Sequence, residues 1–160
     1  MAKVVIKRYR IEDIEGILDH IHNFLVEDRG QEGYENHYKN IDFDRSKVYN
    51  TLINRVNDID FFCNLIFLDQ DIVGGLCAYV AEPFFSSERI AYDQIFYVTP
   101  TFANVPAVIR LLRTYVEWAE QRNVVECRMC SSTGYNQEAF TKLCQLNGFT
   151  KFEVGFARRF

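Results

Sequence analysis

Asp93 is the only carboxylate in the apolar run "IAYDQIFYV". A carboxylate packed among apolar side chains loses hydration, which penalises its charged form and raises its pKa toward neutrality. A group shifted in that sense suits general-base chemistry, with a structural salt bridge as the alternative use. Alternation along a strand sets Tyr92, Gln94, Phe96 and Val98 on one face and Asp93 on the other, unless a bulge shifts the register. Glu126 is a comparable lone carboxylate in "VVECRMCSST", where Ser131 or Ser132 could orient a water.

Other reactive side chains are poorly spaced for chemistry. Cys127 and Cys130 form C-x-x-C, but on a strand that odd spacing turns the thiols to opposite faces, and no second ligand pair completes a zinc site. His20 and His22 stand about 200° apart around a helix and cannot chelate together, and His37 is isolated. No metal site is expected.

Composition narrows the setting. A chain of 160 residues that is 48% hydrophobic fits a single domain, 1–160, with a substantial core. No run approaches the roughly 20 apolar residues of a membrane span, and "MAKVVIKRYR" alternates charged and β-branched residues where a signal peptide would be apolar. Cys63, Cys77, Cys127, Cys130 and Cys144 are odd in number and scattered through apolar segments, which suits a reducing, cytoplasmic setting.

The net charge of −4 is unevenly spread. Residues 11–60 carry twelve acidic side chains against five basic ones, and residues 101–160 eight basic against five acidic. An acidic half attracts a cationic ligand and a basic half an anionic one. Without a basic stripe, the aromatic runs "FFCNLIF", "FF" and "IFY" are expected to pack the core and not to stack on nucleic acid.

The elements that must position these residues follow from periodicity. "KVVIKRY" alternates as a strand, and Ile11, Ile14, Ile17, Leu18, Ile21 and Leu25 recur at helical spacing after it. Residues 29–42 lack an apolar period and form a lid-like loop before a second helix over about residues 44–57. "FFCNLIFLDQDIVGGLCAYVAEPFF" holds two β-rich runs around a polar tetrad, an antiparallel hairpin, and "RIAYDQIFYVTP" is the next strand. Asn104 caps a long helix, with Pro106 tolerated in its first turn and Val108, Leu111, Leu112, Tyr115 and Trp118 or Ala119 on one stripe. The strand "VVECRMCSST", the helix "NQEAFTKLCQLNGF" stopped at Asn147 and Gly148, and the strand "FTKFEVGFARRF" complete the chain.

This order of elements resembles the GNAT superfamily of acyltransferases over nearly the whole chain, most closely from "FYVTP" to "NGF". The resemblance implies a single α/β domain, a mixed and mostly antiparallel sheet of six to seven strands flanked by about four helices. It also implies acetyl-CoA as acyl donor. Val98, Pro100, Leu111, Leu112 and Trp118 stand at the family's positions around its cofactor loop. The pantetheine would pair with main chain at Phe96, Tyr97 and Val98, and the pyrophosphate would meet the helix start, whose free N–H groups favour anions.

Departures from the family pattern are concentrated in that loop. Ala103, Pro106 and Val108 replace its basic residue and two glycines, leaving amides of Asn104, Val105, Ala107 and Val108, and charge from Arg110 or Arg113. Such glycine-poor loops are similar to those of divergent GNAT proteins of tailed phages. The family's proton-donating tyrosine, one turn before Gly-Phe, is replaced by Cys144, with Tyr135 as the alternative hydroxyl and Asn136 one residue out of place for a cofactor contact. The family's general base aligns with Tyr92, next to Asp93.

Two functions therefore stay open. One is an N-acetyltransferase acting on a small-molecule or protein amine, its cationic acceptor framed by the acidic first helices and the 29–42 loop. The other is a GNAT fold without catalysis, serving as a binding or virion-associated structural module. The terminal strand could support a homodimer, and neither nucleic acid nor membrane is an expected partner.

Overall fold

The computed structural model describes residues 2–26, 42–102, 104–131 and 137–152. One sheet runs in chain order through β1 (Val4–Arg8), β2 (Phe61–Leu68), β3 (Asp71–Ala81), β4 (Ile90–Val98) and β5 (Glu126–Arg128). The first four are antiparallel neighbours, and β5 lies parallel to β4. A parallel pair needs a crossover, supplied by α3 (Val105–Gln121). The helices α1 (Ile14–Val26) and α2 (Arg45–Arg55) cover one face, while α3 and α4 (Gln137–Leu146) cover the other.

Two apolar layers result. Tyr9, Ile14, Leu18, Leu52, Cys63, Leu65 and Cys77 fill the α1/α2 side, and Phe62, Ile66, Leu76, Ala91, Leu111, Leu112 and Tyr115 the α3 side. Burial on both faces explains why β2 reads as a continuous apolar run instead of an alternating one. Phe61, Phe62 and Phe67 are core residues as expected, but Phe84 and Phe85 are 100% and 76% exposed. Their segment is the loop between β3 and β4, which no element covers among the described residues.

Local chemistry sets the boundaries. The Asp44 side chain accepts the Lys47 N–H at 2.9 Å and starts α2. At the end of α4, Gly148 adopts φ +83°, Gly148 N–H donates to the Gln145 carbonyl at 3.1 Å, and Phe149 N–H to the Cys144 carbonyl at 3.0 Å. That paired closure satisfies the last helical carbonyls and needs the left-handed conformation glycine tolerates.

The described residues form five strands, fewer than the six or seven expected. Residues 153–160, most of the expected last strand, lie outside the described residues, as do 29–41 of the expected loop. The run "VVECRMCSST" shortens to Glu126–Arg128 because β5 pairs only with Ile90, Ala91 and Tyr92 before the two strands part.

Tyr115 holds that parting point. Its hydroxyl, fully buried, lies 3.1 Å from the Ala91 carbonyl of β4 and 3.0 Å from the Arg128 carbonyl of β5, so one phenolic proton serves both strands. Burial raises its pKa and keeps the phenol protonated. Tyr115→Phe withdraws the only hydrogen that side chain offers, and we expect it to cost about 1–3 kcal/mol. Urea denaturation checks this, as a lowered midpoint at unchanged m.

Candidate active site

The fork between β4 and β5 opens immediately after the Tyr92–Arg128 pair, and β4 runs on to Val98 paired with β3 and, among the described residues, no longer with β5. Just there β4 carries a bulge. Cys77 faces Ile95 and Ala78 faces Asp93, so Gln94 is an extra residue on β4, exposed and without an opposite on β3.

The bulge reverses the expected parity. Cross-strand partners share a face, and Ala78 and Leu76, opposite Asp93 and Phe96, both belong to the α3-side core. Asp93 therefore shares a face with Phe96, not the face opposite it. Tyr92 turns the other way, stacked on Tyr79 at 5.6 Å and lying under the Arg128 guanidinium. Alternation alone had set Tyr92 with Phe96 and Val98; one inserted residue puts Asp93 there instead.

The Asp93 carboxylate sits in the crotch of the fork. Both oxygens accept the Cys130 N–H, at 3.1 and 3.2 Å. Burial outweighs those bonds and raises its pKa from 3.8 to about 6. Glu126, the rival acid, is exposed and bonded to Arg128 Nε.

Cys144 lies on α4, half-buried, with Asp93 and Cys130 among its electrostatic neighbours. Burial first, then those two groups, pushes its thiol up to about 11. Proton donation from it to a thiolate of ordinary pKa near 8.5 runs uphill by about 3 kcal/mol. Cys144 is thus a poorer acid than the thiol it would protonate. Tyr135 and Asn136 lie outside the described residues, as does Ala103.

At the other end of the fork, Phe96 packs toward α3 and α4, 6.1 Å from the Phe140 ring, and Tyr97 turns toward α1 against Phe24 and His20. Val98 precedes a turn in which Phe102 N–H reaches the Thr99 carbonyl. Asn104 caps α3 as expected, its side chain accepting the Ala107 N–H at 3.1 Å. That cap has a consequence for anions. The Ala107 and Val108 amides, expected to be available, both also bond the Asn104 carbonyl, and Pro106 has no N–H. Main-chain donors at Asn104 and Val105 remain for an anion, with Arg110 and Arg113 exposed on the helix beyond.

Several acids of the described residues are paired. Glu15 and Asp19 pair with Arg45, Asp13 with Lys7, Asp58 with Arg55 and Asp60 with Arg89. On α1 the exposed Glu15 and Asp19 share the one cation Arg45, and residues 29–41 of the expected frame lie outside the described residues. No cluster of three potential metal ligands occurs among the described residues, and none of the helices there is long and apolar enough to cross a membrane.

No family model and no curated protein matches this chain by sequence. Solved structures match it by shape. A glucosamine-6-phosphate N-acetyltransferase from Arabidopsis thaliana is similar over 99% of this chain and 99% of its own, with TM-score 0.70 and 12% identity. A predicted acetyltransferase with acetyl-CoA from Clostridium acetobutylicum covers 98% of this chain and 96% of its own, at TM-score 0.70 and 14% identity. An aminoglycoside N-acetyltransferase in complex with CoA covers 99% and 96%, at TM-score 0.71 and 14% identity. The chain has the GNAT acetyltransferase fold over its whole length.

Two half-buried groups titrate in opposite senses. Burial lowers His20 from 6.5 to about 4, so the unfolded chain binds a proton that the folded chain refuses, and acid through that window destabilises. Asp93, raised to about 6, makes the folded chain bind the extra proton, so acid from pH 6 toward 4 stabilises. Each contributes at most about 3 kcal/mol, and less where solvent screens it. Urea midpoints should therefore rise on acidification in His20→Phe and fall in Asp93→Asn, while the parent changes little between. Equal slopes in the two variants would refute the assignment.

Proposed function

We propose that this protein is an N-acetyltransferase that uses acetyl-CoA to acetylate a primary amine of a small molecule or protein. One observation carries the reading: the bulge at Gln94 sets a carboxylate with pKa about 6 in the fork of a GNAT sheet. The shape likeness to acetyltransferases solved with acetyl-CoA or CoA supports it.

In this reading the thioester lies in the fork. Main chain of Phe96, Tyr97 and Val98 lines the pantetheine, and the Asn104 and Val105 amides with Arg110 meet the pyrophosphate. The fork fits that donor, whereas the helix start offers fewer N–H groups than the fold can provide. Binding should accordingly rest more on the fork than on the loop.

Asp93, directly or through a water, takes the proton of the attacking amine. A carboxylic acid of pKa about 6 can then return that proton to the departing thiolate, whose conjugate acid lies near 8.5. One group thereby serves both steps, and neither Cys144 nor Tyr135 is needed as the acid. Fixed geometry supplies the rest of the rate, since donor and base are held by the same two strands.

Native-state binding raises the melting temperature by mass action. Millimolar acetyl-CoA should raise it by several degrees, in the parent and in Asp93→Asn alike, since the substitution keeps a hydrogen-bond acceptor in the fork. Steady-state CoA release with an amine panel should fall about 10²–10⁴-fold in Asp93→Asn, in kcat and not in KM. Absence of any thermal shift would overturn the acetyl-CoA reading and leave a fold used only for binding or assembly.

A further inference from the structure

At the end of the sheet away from the fork, β2, β4 and β5 begin and β3 finishes. Arg89 ties these strand ends together. Its guanidinium holds the Asp60 carboxylate at 2.7 Å and the Arg122 carbonyl at 2.9 Å, and its own carbonyl accepts the Val125 N–H at 2.9 Å. From α3, Trp118 Nε1 donates to the Ile59 carbonyl at 3.1 Å. Ile59 is nevertheless 66% exposed and Val125 60%, and the loop from Ala81 to Arg89 adds Phe84 and Phe85, the most exposed large apolar side chains described. An apolar surface thus gathers on one end of the sheet.

The charges of this end divide into two sets. Asp60 with Arg89, Asp58 with Arg55 and Glu126 with Arg128 are satisfied within the chain. Among the described residues, Glu82, Glu88, Glu120 and Arg122 make no ion pair, and Arg122 Nε is buried without a hydrogen-bond partner. A guanidinium nitrogen shut away from water with nothing to bond costs free energy in the isolated chain. The rim therefore offers free charge of both signs around an apolar centre.

We propose that this end is the contact surface of a homodimer, two copies packing Ile59, Phe84, Phe85 and Val125 against one another about a two-fold axis. Such an interface applies one surface to itself, so its charges complement only if both signs are present, with Arg122 of each copy set against carboxylates of the other. A purely basic partner would meet Arg122 as a like charge, and a purely acidic one would meet Glu82, Glu88 and Glu120. The area also suffices: the four apolar residues expose roughly 500 Å² per copy, so two copies bury about 1,000 Å², the lower bound for a specific interface. Because β4 and β5 start at this end and part at the other, the dimer leaves the fork open and does not depend on its chemistry. The contact is distinct from the terminal strand, most of which lies outside the described residues.

Sedimentation velocity on the full chain over about 1–100 µM tests this. The expected result is a reversible monomer–dimer equilibrium in the parent, its dissociation constant weakened about tenfold or more when Phe84→Asp and Phe85→Asp are combined. Neither side chain belongs to a core layer, so the double variant should keep the parent's urea midpoint when both are measured dilute and monomeric. The melting temperature should rise with protein concentration in the parent and not in the double variant, since association stabilises by mass action. Arg122→Gln should weaken association about threefold or more. A parent that stays monomeric across the range overturns the proposal. So does a dimer unaffected by the double variant, the result expected if residues 153–160 carried the contact instead. Unchanged affinity in Arg122→Gln would overturn the charge pairing that selects a second copy as the occupant.

Discussion

Everything at the candidate site depends on where β4 and β5 stop pairing. Three backbone pairs hold the strands together, and Tyr115 reaches up from α3 to bond the Ala91 carbonyl in the second of them and the Arg128 carbonyl in the last. Beyond that point the ladder could continue only if β5 kept its direction. Instead the Asp93 carboxylate takes the Cys130 N–H that a β4 carbonyl would otherwise accept. A side chain thus replaces a rung, and the fork is closed at its base by one phenol and one carboxylate. Both are held in surroundings of low polarity, where hydrogen bonds are strong and their loss is costly.

The bulge and the fork are one device. A regular β4 would turn Asp93 toward α1, away from Cys130 and from α4. The extra residue, Gln94, is exposed and packs against nothing in either core layer. Its use is geometric: it lets Tyr92 remain with Tyr79 and Arg128 on one face while Asp93 and Phe96 share the other. The chemistry assigned to the fork is therefore set by backbone count as much as by residue type.

Much of this was legible in the chain. The hairpin, the Asn104 cap, the Gly148 stop and the α3 stripe through Leu111, Leu112 and Tyr115 follow from local rules about periodicity and satisfied N–H groups. The unusual Asp93 was visible because an acid inside an apolar strand needs a reason. Its facing was not, because a period-two pattern carries no mark of an inserted residue when Gln94 and its neighbours are compatible with either register. Cys130 was read only as half of a C-x-x-C pair, since its partner is Asp93, 37 positions away. Charge was legible only as a count: composition does not say that Arg45 folds against both Glu15 and Asp19, or that Lys7 and Arg89 reach Asp13 and Asp60 from outside the acidic stretch.

The fork and the loop beyond Val98 answer to different constraints. Ala91, Leu76 and Tyr115 hold the fork as part of a buried core, so folding alone accounts for it whatever residues the loop beyond Val98 carries. A shared shape at 12–14% identity is thus accounted for by folding and carries no chemistry by itself. Asp93 is not explained in that way. At neutral pH its burial disfavours the charged form, and an asparagine could accept the Cys130 N–H without that cost. A group that weakens the fold where an uncharged neighbour in chemistry would serve is best understood through the proton it can hold. It is therefore the carboxylate, more than the fold around it, that argues for catalysis in the fork.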